Sequence, residues 1–182
     1  MAGSGGDPLP LRITYLEDIL QTIITLVGIG LFIFTAYGDV KSFRISNSIV
    51  AAVALLGVTR LIVIGDPSVA LYTVGVAFIV LTVGFVLFWL GFCGGGDAKL
   101  VTAAALLVGY HDVFSFLLIM SICGGAFSFA VLVIRRYLPL WVGPSLAVHL
   151  PKARLSVPYG VAIATGGVAT LFFQSSLSSF LG

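Results

Sequence analysis

Two aspartates are the residues whose type and placement could do chemistry. Asp97 follows three glycines in "GFCGGGDAKL" (91–100), with Lys99 two positions on, and Asp39 follows the charge-free run Ile19–Gly38. Two carboxylates brought within a few ångströms cannot both ionise easily, so one keeps a proton while the other stays a base. Such a pair can activate water for attack on a peptide bond and protonate the leaving amine. Each acid also has a purely structural reading. After a glycine turn Asp97 is a helix N-cap, and Asp39 is an ordinary interfacial acid at a helix end.

Other chemistries find less support. His111 and His149 fall on opposite sides of the topology derived below and no HExxH occurs, so neither a metal nor another cofactor is expected. Cys93 and Cys123 form no CxxC and read as small packing residues. "GPSLA" (143–147) lacks the second glycine of a nucleophile elbow, and the glycine run is too generic to indicate phosphate binding.

The elements that must position the acids lie in a membrane. Of 182 residues, 59% are hydrophobic and 9% charged, and the mean hydropathy of +1.18 exceeds what a solvated domain carries. About 20 apolar helical residues cross a bilayer core. The charge-free runs predict an all-α, polytopic membrane protein with about six transmembrane helices, near 17–38, 47–65, 69–92, 98–110, 113–134 and 158–180. Continuous apolar runs without in-out alternation argue against a barrel. Residues 1–16 are expected to be a flexible lead and 17–182 a single transmembrane domain, with a long proline- and arginine-rich loop before the last helix.

Lysine and arginine accumulate in cytoplasmic loops. Lys41, Arg44, Lys99, Arg135, Arg136, Lys152 and Arg154 share one side, which places that side in the cytoplasm and both termini outside. Asp39 and Asp97 then lie at cytoplasmic helix ends, apart from the other acids. The basic residues suit topology and anionic lipid, and no nucleic-acid partner is expected. The fourth span is short: Ala98 to His111 rises roughly 21 Å against a core of about 30 Å. Its start, with Asp97, is therefore expected below the membrane surface, where Gly94, Gly95 and Gly96 permit close approach of another chain. An acid so withdrawn from water is a functional candidate.

The joint pattern "DVKSFRISN" (39–47) and "GGGDAK" (94–99) resembles type IV prepilin peptidases, membrane aspartic proteases of the GxGD class. Asp39, Ile45 and Asn47 fit that family's first motif, with Ser46 in place of proline. Gly94, Gly96, Asp97 and Lys99 fit the second completely, and "VPYG" (157–160) resembles a recurring segment. Without the cysteine-bearing cytoplasmic region of bifunctional members, the chain is most similar to short, peptidase-only forms that process Flp or Tad pilins.

The resemblance implies an inner-membrane endopeptidase that removes a basic leader, typically after glycine, from a prepilin whose hydrophobic helix stays in the bilayer. Asp39 and Asp97 would be catalytic; Gly94, Gly95, Gly96, Lys99 and Asn47 would shape the site or meet substrate, Asn47 also as a cap for the second helix. Asp97 precedes a helix and Asp39 follows one, so the helix dipole favours Asp97 as initial base and Asp39 as initial acid. Two other readings stay open: a small proton- or cation-coupled transporter, for which Asp112 beside His111 would be the outer acid, and a noncatalytic pilus-assembly subunit.

Overall fold

The computed structural model describes residues 9–42, 46–142 and 159–181, all as helices and short turns. Ile45 of the first motif, the glycine–proline segment at 143–147, His149, Lys152, Arg154 and the start of "VPYG" lie outside the described residues. Among the described residues six helices follow one another: α1 Leu9–Ser42, α2 Asn47–Ile64, α3 Pro67–Trp89, α4 Gly95–Val108, α5 Val113–Val142 and α6 Tyr159–Leu181. A helix stands at each of the six expected positions. Windows of α1, α2, α3 and α5 are long and apolar enough to cross a membrane, and their outward faces carry leucine, valine and phenylalanine, as lipid contact requires.

Local chemistry sets most helix ends. Asp66 caps α3, its Oδ1 accepting from Ser68 N–H at 2.8 Å, and Pro67 follows at the first helical position, where its missing N–H is not needed. Helix α2 stops at Gly65, whose φ of 68° suits glycine. Helix α3 ends in a Schellman turn: Phe92 N–H reaches Leu87 O, Gly91 N–H reaches Phe88 O, and Gly91 has φ 79°.

Three ends depart from expectation. Helix α1 starts at Leu9, inside the stretch read as a lead, with Pro10 in its first turn, where proline is tolerated. Helix α5 runs to Val142, past Arg135 and Arg136 and through Pro139. The cap of α2 is Ser46, not Asn47: Ser46 Oγ accepts from Ser48 N–H at 3.3 Å, and Asn47 is the first helical residue. We expect Ser46→Ala to cost about 0.5–1 kcal/mol, read as a lowered midpoint of thermal unfolding in detergent.

Packing places α4 at the centre. It lies against α3, α2 and α6; α1 packs on α2 and α6, and α5 on α6. Leu100, Ala103, Ala104, Ala105, Leu107 and Val108 are all buried, as an apolar-all-round helix must be. Helices α3 and α5 are not a packed pair, so the bundle is open between them. At 14 residues, α4 is about 21 Å long. It cannot span a bilayer alone, and both of its ends must be satisfied by protein.

Candidate active site

The carboxylate of Asp97 folds back onto the start of its own helix. Its Oδ2 accepts from Gly94 N–H at 3.1 Å, satisfying one of the amides that every helix start leaves unpaired. A Cβ on Gly94 would fall 2.9 Å from that oxygen. Gly94 is thus small because the acid occupies the space a side chain would take. The glycines form no irregular loop. Gly95 and Gly96 already belong to α4, and a Cβ on Gly95 would come within 3.3 Å of the Phe88 ring. The groups that come close to Gly94 and Gly95 in the structure, the Asp97 carboxylate and the Phe88 ring, belong to this chain.

Asp39 sits near the end of α1 and is only 6% exposed. Its carboxylate lies against the first turn of α6, where a Cβ on Gly160 would be 2.7 Å from Oδ2. The Gly160 and Val161 amides face the carboxylate without closing a full hydrogen bond to Oδ2, which is buried and has no partner. Asp39 and Asp97 are within electrostatic reach of each other. Two acids from helices far apart in sequence thus act on each other electrostatically.

This placement removes the dipole argument for telling base from acid. Asp97 is in the first turn of α4, and Asp39, although it ends α1, faces the first turn of α6. Both carboxylates meet a positive helix end, so the asymmetry expected from sequence disappears. Lys99 is exposed on α4 and Asn47 is exposed at the start of α2; neither is packed into the acid pair.

A groove of about 540 Å³ runs from Asp97 between α3 and α5, with α4 and α6 as its floor. Its lining is apolar apart from Asp97 and a few small polar groups. Along α5 it meets Ser121, Gly124, Gly125 and Ser128, one face at helical spacing, and Tyr159 stands near its Asp97 end. Among the described residues no group of histidine, cysteine and acidic side chains could hold a metal.

The sequence model of the type IV leader peptidase family matches residues 26–129, more than half of the chain, with both aspartates inside the match. The chain belongs to the type IV leader peptidase family. No curated protein and no solved structure matches it. Membership makes it a peptidase, and its apolar helices make this leader peptidase a multi-pass membrane protein.

Sequence reasoning overlooked two parts of this leader peptidase. Gly160 lies in the quoted "VPYG", yet nothing local says that its helix start faces Asp39. Arg60 and Gln174 are polar residues within apolar helices, a signal that marks functional or structural sites. With Asp112 they form a hydrogen-bonded group at the far end of α4. Asp112, the acid a transport path would need at that end, is engaged there by Gln174.

Proposed function

We propose that this leader peptidase is an aspartic endopeptidase that removes the basic leader from a type IV, Flp- or Tad-like prepilin at the cytoplasmic face of the inner membrane, with both termini outside. The observation that carries the reading is that Asp97 lines an apolar groove while Asp39, held against the first turn of α6, acts on it electrostatically. The pilin's hydrophobic helix enters from lipid between α3 and α5, and the small residues of α5 let it approach closely. Its cleavage segment unwinds near Asp97, because helical peptide bonds are hydrogen-bonded and shielded. The basic leader stays on the side where Lys41 and Lys99 lie, which fits the orientation given by the positive-inside rule.

In the reaction the two carboxylates share one proton and hold a water. The ionised carboxylate removes a proton from the water as its oxygen bonds to the scissile carbonyl carbon, forming a tetrahedral intermediate. The protonated carboxyl then delivers its proton to the leaving nitrogen as the carbon–nitrogen bond breaks. The free oxygen of Asp39 has hydrogen-bonding capacity left for the water or the shared proton. The proposal requires a bell-shaped dependence of rate on pH, belonging to the pair rather than to either residue. A rate still climbing in strong alkali contradicts the shared proton.

The test is cleavage of a Flp-type prepilin by the purified protein in detergent or liposomes, with the new N-terminus mapped. A single cut just after the basic leader is expected. No cleavage across several prepilins, with the enzyme folded, overturns the substrate assignment.

A further inference from the structure

We infer that Arg60, Gln174 and Asp112 form a clamp that fixes the axial register of α4 against α6, and through it the separation of Asp39 and Asp97. The catalytic half of this inference rests on the two-aspartate reading above.

The last carbonyls of any helix lack partners within it, and those of α4 end inside the bundle. Ala105 O is taken by Gly109 N–H at 3.0 Å. The Arg60 guanidinium of α2 donates through Nη1 to both Leu107 O and Val108 O. Gln174 of α6 donates to Val108 O at 2.9 Å and to Asp112 Oδ2, while its Oε1 lies 3.5 Å from Arg60 Nη2. Both hydrogens of the Gln174 amide are thereby used and its oxygen faces a donor, so this amide orientation satisfies every group. Gln174 stands between the guanidinium and Asp112, whose charge still acts on Arg60.

The backbone is shaped to admit the guanidinium. A Cβ on Gly57 would meet Leu107 N at 3.0 Å, and one on Gly109, which has φ 91°, would lie 3.1 Å from Arg60 Nη1. A half-buried arginine within an apolar helix is costly unless its donors are satisfied. Here its donors supply the two carbonyls that most need partners.

The lever arm follows from geometry. Helices α4 and α6 both run from the acid end to the clamp end. At the acid end α4 carries Asp97 and α6 presents Gly160 to Asp39; at the other, Val108 and Gln174 are bonded. Gly160 and Gln174 are roughly 21 Å apart at about 1.5 Å per residue, a length over which a helix transmits an axial shift almost unchanged. Ala103, Ala104 and Ala105 are buried in α4 and offer only low ridges against sliding. Directional hydrogen bonds at the clamp supply the register that small side chains do not. Arg60, Gln174 and Asp112 are thus positioning residues, remote from the reacting atoms.

The experiment is a charge exchange read in two ways. Gln174→Glu removes both amide donors and sets a second carboxylate against Asp112. Adding Asp112→Asn restores a donor to Glu at 174, which then also pairs with Arg60. In a background with Cys93 and Cys123 replaced by serine, spin labels at 99 and 165 report the position of α4 against α6. Gln174→Glu is expected to shift or broaden that distance and lower kcat about 10-fold or more with KM unchanged, within the range that an ångström of misplacement can cost. The double variant is expected to recover both within about threefold.

A folded Gln174→Glu protein with the wild-type label distance overturns the clamp, whatever its kinetics. A shifted distance with wild-type kcat overturns its link to the acids. If the distance shifts while Asp39→Asn or Asp97→Asn still cleaves normally, the two-aspartate reading falls and the clamp stands as a register device. Should Gln174→Glu not fold, Arg60→Lys, which keeps the charge but not the fork, serves in its place under the same criteria.

Discussion

Asp39→Asn and Asp97→Asn are each expected to lower prepilin cleavage by about 10³-fold or more, and the double variant is expected to be no slower than the slower single one. General acid–base groups contribute about 10²–10⁴-fold, and groups acting as a unit lose most of their joint effect when the first is removed. Asparagine keeps the size of the side chain but can neither take a proton from water nor deliver one as a carboxyl does. At Asp97 it also retains an oxygen to accept from Gly94 N–H, so the helix start survives. The measurement is kcat on purified variants with matched thermal unfolding. Cleavage within a few-fold of wild type in either variant would remove that acid from the reaction.

The second large effect comes from a residue without a side chain. Gly160→Ala places a methyl group 2.7 Å from Asp39 Oδ2, 2.8 Å from Cγ and 2.9 Å from Cβ, separations that atoms in contact do not adopt. Gly160 is the second residue of its helix, a position that alanine also fits. The chain therefore keeps the helix and moves the acid. A displacement near 1 Å corresponds to about 10²-fold in rate. We expect that loss in kcat, with KM and thermal unfolding close to wild type. Full activity in Gly160→Ala would mean that the Asp39 carboxylate does not work from the position it holds against α6.

How much was legible in the sequence depends on the range of the interaction. Charge-free runs outline the spans, although α3 starts at Pro67 and α4 at Gly95, a few residues before the positions expected. The acids were legible as a pair only because two motifs, in "DVKSFRISN" and "GGGDAK", occur together in the family the chain resembles. Three features were illegible. Ser46 took the capping role assigned to Asn47, since neighbouring cap-formers compete and only geometry chooses between them. The opposition of Asp39 and Gly160 and the bonding of Arg60 to Leu107 and Gln174 join residues far apart in sequence, where no periodicity carries information. The dipole argument failed for the same reason: it counted the helix Asp39 belongs to and could not see the one it faces.

The order in which the chain is made gives α6 a further consequence. It is the last of the described helices to leave the ribosome, yet it provides the helix start facing Asp39 and the amide that holds Val108. Until α6 inserts, the short α4 lacks one of its walls and Asp39 lacks its support. A nascent chain halted before residue 159 thus has both carboxylates but not the arrangement of them. On the two-aspartate proposal, proteolytic competence therefore waits for the last described helix to insert.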